Sequence, residues 1–111
     1  MIIQIENGEL ITNDWPDFRT SDISDYLGGR FRSLPVPRAV ADLSVIAYMN
    51  DDPVDLPWNF ELPGVGRIRG NVVIVGLSEH GDIRQLEHRE WTAYRLVDIP
   101  NRALPILEVN K

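Results

Sequence analysis

Three short stretches of this chain carry side chains able to do chemistry. Glu79-His80-Gly81-Asp82 sets two carboxylates and an imidazole around a glycine, donor types that a divalent cation accepts. Neighbouring residues cannot all converge on one ion, and His88, the other histidine, completes neither an HxH nor an HxxxH pair. The stretch reads as a solvated turn with Gly81 at positive φ. Asp51, Asp52 and Asp55 form the densest acidic cluster. A calcium loop alternates its carboxylates, has glycine at its sixth position and closes on a glutamate. Asn50-Asp-Asp-Pro-Val-Asp-Leu-Pro57 lacks that glycine and has Pro53 where the backbone should turn. Gly64-Val-Gly-Arg-Ile-Arg-Gly70 gathers glycines and two arginines, which suggests phosphate binding. Phosphate loops, however, lie between a strand and a helix N-terminus. These glycines precede a strand, and no Lys-Ser/Thr follows.

The residues therefore favour binding over catalysis. No serine stands in a Gly-x-Ser-x-Gly context, and the two histidines offer no legible triad. No metal or other cofactor is expected. Asp51, Asp52 and Asp55, with Trp58 as an aromatic anchor, read as a docking surface for a basic protein partner. In its sharper form the acidic face would occupy a nucleic-acid-binding surface of a host protein, as DNA-mimic inhibitors do. Arginines interleave the acids, and that form ranks lower. The alternative is a small, nucleotide-like ligand held by Arg67 and Arg69.

The element that must position these stretches is Gly70-Asn-Val-Val-Ile-Val-Gly76. Its β-branched run, without alternating polar residues and bounded by glycines, predicts a central strand buried on both faces. Ile2 to Ile5 and Leu10 to Thr12 predict a hairpin through Asn7-Gly8. Ile23, Tyr26 and Leu27 give a short helix one apolar face, Thr20 or Ser21 can cap it, and Gly28-Gly29 ends it. Trp15 reads as a lid on the core. Arg30 to Leu34 alternates as a half-exposed strand, with Pro35 and Pro37 placing it at an edge. Leu43 to Met49 is the second-best strand. Val54 to Gly70 has no sustained period and reads as an ordered loop pinned by Trp58 and Phe60, unless it conceals a short element. Ile83 to Leu86 can pair back briefly. From Glu87 to Val97 the pattern is helical, with Glu90, Ala93, Tyr94 and Val97 on the face of Leu86 and Trp91 at its margin. Pro100 is the stop. Leu104 to Val109 closes the chain as a strand, at an edge because of Pro105. The expected fold is a single α+β domain over residues 1–111. It has a mixed or mainly antiparallel sheet of about five or six strands with two short helices.

Length and composition bound the function further. The 111 residues suffice for one modest core. A net charge of −6 argues against direct nucleic-acid or anionic-membrane binding. No apolar run approaches the about 20 residues that span a bilayer. The N-terminus lacks a basic, signal-like region, and the absence of cysteine removes disulfides and thiolate chemistry. A cytoplasmic protein is expected, a monomer or homodimer, with the edge prolines discouraging edge-to-edge pairing. Lys111 is the only lysine, which reads as the composition of a GC-rich genome.

In order along the chain stand Asp25-Tyr-Leu-Gly-Gly-Arg-Phe-Arg-Ser-Leu34, Tyr48-Met-Asn-Asp-Asp52, Leu56-Pro-Trp-Asn59 and Arg69-Gly-Asn-Val-Val-Ile-Val-Gly76. This series resembles a small domain of unknown function found in bacteriophages, especially those of actinobacteria, and in bacterial mobile elements. Arg32 departs from the glutamate frequent in that family's strand after Gly-Gly. The resemblance covers roughly residues 20–97. It implies a phage or mobile-element accessory protein, acting in the host cytoplasm if phage-encoded, and implies no reaction. Its glycines and Leu-Pro-Trp-Asn loop transfer as architecture only.

Overall fold

The computed structural model describes residues 1–34, 45–97 and 107–108. Its centre is β7 (Val72–Leu77), whose Val72, Val73, Ile74 and Val75 are wholly inaccessible to solvent. On one side it pairs antiparallel with β1 (Ile2–Glu6), through Ile3 opposite Ile74 and Ile5 opposite Val72. On the other it pairs antiparallel with β4 (Val45–Asn50). β1 turns into β2 (Glu9–Asn13) with Glu6 opposite Glu9. Asn7 and Gly8 both have positive φ, 50° and 73°, as a two-residue I′ turn demands.

Outward from β4 lies β3 (Phe31–Ser33), and outward from β2 lies β9 (Leu107–Glu108), the one parallel pairing among the described residues. The sheet order is thus β3-β4-β7-β1-β2-β9. A short β8 (Ile83–Arg84) pairs with Gly76 and Leu77, beyond the stretch of β7 that β1 uses. It continues toward the start of β1: Leu86 N–H donates to the Met1 carbonyl at 2.6 Å, and the Met1 ammonium donates to the Leu86 carbonyl at 3.0 Å. The fold is α+β, one small domain with a mainly antiparallel sheet and, among the described residues, two helices.

Pleating sends alternate residues of β7 to opposite layers. Val73 and Val75 join Ile2, Ile23 and Leu27 beneath α1 (Thr20–Leu27), with Trp15, Phe18 and Tyr26 packed against them. Helix α1 begins one residue earlier than a Thr20 cap, and two earlier than a Ser21 cap, would place it. Arg19 is the cap residue, and its N–H donates to the Asp22 carboxylate at 2.7 Å, so the acid three residues on does the capping work. Gly28 ends the helix at φ 85°, its N–H donating to the Ser24 carbonyl, a conformation that costs a side chain about 1–2 kcal/mol.

Val72 and Ile74 join Ile3, Ile5, Phe60, Leu62, Ile68, Leu86 and Trp91 on the opposite layer. This layer corrects the reading of Val54 to Gly70 as a loop. It contains β5 (Trp58–Leu62) and β6 (Gly66–Arg69), an antiparallel hairpin that forms a second sheet. The register shifts between Trp58 and Phe60, and such a bulge breaks the alternation by which a strand is read. Phe60 is a pin, fully buried, but Trp58 is 40% exposed. Helix α2 (His88–Val97) covers the same layer, and Trp91 sits in the core at 5% exposure instead of at the margin. Leu43, Ser44 and the prolines at 35, 37, 100 and 105 lie outside the described residues. Of the closing strand, Leu107–Glu108 is described.

Candidate functional site

The β5–β6 hairpin brings the two sets of candidate residues together. Trp58 stands opposite Arg69 and Glu61 opposite Arg67, while Phe60, paired with Ile68, turns inward. The outer face therefore carries an indole, two guanidiniums and a carboxylate. Arg69 Nη1 donates to the Leu56 carbonyl at 3.3 Å, so part of its donor set is already engaged. Arg67 is exposed.

The acids lie on the approach to this hairpin. Asn50, at the end of β4, is buried and works in both directions. Its Nδ2 donates to the Leu27 carbonyl at 2.8 Å, and its Oδ1 accepts from Asp52 N–H at 2.7 Å. One amide thereby ties the end of α1 to the turn that presents Asp51 and Asp52. Asp51 N–H donates to the Arg30 carbonyl at 2.9 Å. Its side chain borders a shallow groove of about 530 Å³ shared with Ser24, Gly29, Arg30 and Phe31. A turn closed by Leu56 N–H on the Pro53 carbonyl then exposes Val54 and Asp55. Leu56 itself fills the space against Gly70, where a Cβ would stand 2.6 Å from its Cδ1.

Asn59 holds the hairpin on the sheet. It is 1% exposed. Nδ2 donates to the Ile5 carbonyl at 2.7 Å and the Gly70 carbonyl at 2.8 Å, and Oδ1 accepts from Gly8 N–H at 2.8 Å. The Leu-Pro-Trp-Asn sequence thus ends in a polar staple whose two N–H donors are both used. Sequence reasoning classed the motif as architectural without seeing which atoms did the work. The available signal was an amide flanked by two aromatics, Trp58 and Phe60.

A second polar constellation escaped the sequence reading. Arg84 makes a two-pronged pair with Glu90, Nη1 to Oε1 at 2.7 Å and Nη2 to Oε2 at 2.8 Å. Glu90 Oε1 also accepts from Glu87 N–H at 2.9 Å, the acid-at-N3 half of a helix cap. The guanidinium of Arg84 lies over Gly76, where a Cβ would stand 2.5 Å from Nη1. The Arg84 hydrogen bonds hold the Glu90 carboxyl below the usual carboxylate range against its burial, with Glu87 N–H assisting. This cluster is structural: it docks α2 on the sheet.

The Glu79-His80-Gly81-Asp82 stretch closes on itself, through Asp82 N–H to Ser78 Oγ at 3.0 Å and Gly81 N–H to the Ser78 carbonyl at 3.0 Å. Its three candidate ligands are exposed. Among the described residues no group of three or more His, Cys, Asp or Glu is placed to hold a metal ion. Among the same residues no helix is long and apolar enough to cross a membrane.

Compared with protein-family models, curated proteins and solved structures, the chain matches none.

Proposed function

We propose that this protein is a non-catalytic binding module. Asp51, Asp52, Asp55 and Trp58 would engage a protein partner that presents a basic surface around an apolar pocket. One observation supports the reading above the others. The exposed large hydrophobics among the described residues are Val54 at 74%, Trp58 at 40% and Val65 at 39%, and all three fall in one loop-and-hairpin segment. That segment follows directly on exposed Asp51 and Asp52 and contains exposed Asp55. The four intervals of β5 extend about 13 Å from Trp58 toward the turn that bears Val65. An indole within a charged rim is the composition of an interface anchor. On the resemblance to the phage and mobile-element domain, the partner belongs to a host or phage cytoplasm.

The Arg67/Arg69 reading loses ground on the same face. Arg69 is engaged by the Leu56 carbonyl, Glu61 faces Arg67 across the hairpin, and neither arginine lines the groove beside Asp51.

Affinity capture from bacterial lysate tests the proposal, comparing the native chain with Asp51→Lys/Asp52→Lys and with Arg67→Ala. The expected result is a protein retained by the native chain and by Arg67→Ala but lost from the charge-reversed variant. Loss on Arg67→Ala with retention on charge reversal would transfer the site to the arginines. Equal recovery on all three would end the reading.

A further inference from the structure

The net charge is not spread along the chain. Residues 1–29 hold six acids (Glu6, Glu9, Asp14, Asp17, Asp22 and Asp25) against the single base Arg19. The remaining residues hold eleven acids against ten bases. Nearly all the net negative charge is therefore carried by the β1–β2 hairpin, the segment after it and α1. The segment after the hairpin and α1 lie on the face of the sheet opposite the β5–β6 hairpin.

A cleft of about 270 Å³ opens within this acidic region, lined by Trp15, Pro16, Asp22, Asp25 and Tyr26. That is below the range that encloses a drug-sized molecule and suits a single side chain. Trp15 and Tyr26 meet edge to face, centroids 5.4 Å apart and planes at 71°, and so form an aromatic corner. The corner is braced from outside the cleft. Trp15 leans on Phe18 at 5.9 Å, its carbonyl accepts from Gln85 Nε2 at 3.1 Å, and Tyr26 Oη donates to Glu6 Oε1 at 2.6 Å. Burial, with the Glu6 carboxylate beside it, pushes the Tyr26 phenol far above its ordinary value, so the ring stays neutral. Of the two acids, Asp22 spends one oxygen on the Arg19 N–H. Asp25, exposed on the next turn of α1, has no hydrogen-bond or ion-pair partner among the described residues. Aromatic rings beside an uncommitted carboxylate, in a predominantly acidic region, are complementary to a flat, delocalised cation. Such a cation can stack on an indole and present N–H donors to a carboxylate at once.

We propose that this cleft binds the guanidinium of an arginine side chain presented by a peptide segment of a partner. The Trp58 surface takes no part in this inference. It uses other residues, and either can fail alone.

The test is a ¹H–¹⁵N NMR titration of the full chain that follows the Trp15 indole N–H, assigned with Trp15→Phe. The probes are blocked Gly-Arg-Gly, the same peptide with citrulline for arginine, and tetramethylammonium. Citrulline keeps the shape and removes the charge. Tetramethylammonium is a free cation without N–H donors. The expected result is a saturable, millimolar-range shift with the arginine peptide, none with citrulline, and weaker binding of tetramethylammonium. Asp25→Asn, an exposed change that leaves the α1 core residues Ile23 and Leu27 untouched, is expected to weaken the arginine peptide at least about fivefold, with the remaining amide spectrum unmoved. The proposal is overturned by an unresponsive Trp15, by equal binding of citrulline, or by full affinity in Asp25→Asn. It is also overturned by tetramethylammonium binding as tightly as the arginine peptide, which would assign the cleft to small free amines.

Discussion

Replacing Asn59 with alanine should unseat the hairpin that carries Trp58. The side chain satisfies three backbone groups belonging to three different segments: the Ile5 carbonyl in β1, the Gly8 N–H in the hairpin turn and the Gly70 carbonyl ahead of β7. Each buried group left without a partner costs about 1–3 kcal/mol. The losses are not additive, because the hairpin can shift and water can enter, so the total should be roughly 3–5 kcal/mol. Against a typical stability of about 5–15 kcal/mol this is severe. Urea unfolding followed by tryptophan fluorescence measures it as a lower midpoint at unchanged slope.

Asn59→Asp sharpens the argument, because the two residues have nearly the same shape. The aspartate keeps an acceptor for Gly8 N–H but turns a second carboxylate oxygen toward the Ile5 and Gly70 carbonyls. Burial and those carbonyls would raise its folded pKa above the unfolded value. The native state then binds more protons than the unfolded state between the two values, so the variant's stability falls as pH rises through that window. Asn59→Asp should therefore recover part of its deficit between pH 7 and about pH 4, whereas Asn59→Ala should stay parallel to the native protein. A loss under about 1 kcal/mol for Asn59→Ala, or a pH-independent deficit for Asn59→Asp, would refute the staple.

Glu90→Ala removes both prongs of the Arg84 pair and the acceptor for Glu87 N–H. The Arg84 side chain is 34% exposed, and solvent screening discounts the pair, so the expected loss is about 2 kcal/mol. Because the Glu90 carboxyl is held below the ordinary range, its contribution is complete above the unfolded carboxylate value of about 4.3. It disappears as pH falls through the lower folded value. Acid titration of native and Glu90→Ala proteins should show their stabilities converging at the acid end. Gly76→Ala forces a Cβ to 2.5 Å from Arg84 Nη1 and 3.2 Å from the Gln85 carbonyl oxygen. A loss of about 1–3 kcal/mol is expected, and most of it should vanish in an Arg84→Ala background, which a double-mutant cycle reads directly.

The parts of the fold legible in sequence are those where local chemistry and tertiary demand agree. Val72 to Val75 declares a doubly buried strand because no polar residue interrupts it. Asn7-Gly8 declares its turn because both positions need positive φ. Ile23, Tyr26 and Leu27 declare a helix face that Gly28 ends. The β5–β6 hairpin was hidden because its bulge puts Asn59 and Phe60 both inside, so alternation fails where it would be looked for. Trp91 reads as marginal for a different reason. It falls one residue off the stripe of Leu86, Glu90 and Ala93, and the Arg84 guanidinium, delivered over Gly76 from another strand, pairs with Glu90 so that α2 buries Glu90 and Trp91 together. Asp51, Asp52, Asp55 and Trp58 could be named as candidates from their types. That Arg67 and Arg69 share the outer face of Trp58 is a consequence of strand pairing, which composition does not carry. The aromatic corner of Trp15 and Tyr26 depends likewise on the return of the chain between β2 and α1.

We propose that Trp58 anchors a protein partner, with Asp51, Asp52 and Asp55 on the approach to it supplying acidic contacts. The most direct measurement is the equilibrium affinity of the captured partner for the native chain and for Trp58→Ala, at low and at physiological salt. An anchor residue of this kind is worth about 2 kcal/mol or more, so Trp58→Ala should weaken binding roughly 30-fold. Added salt should weaken the native complex through its charged rim. An affinity within about twofold of native for Trp58→Ala, with no dependence on salt, would contradict the claim.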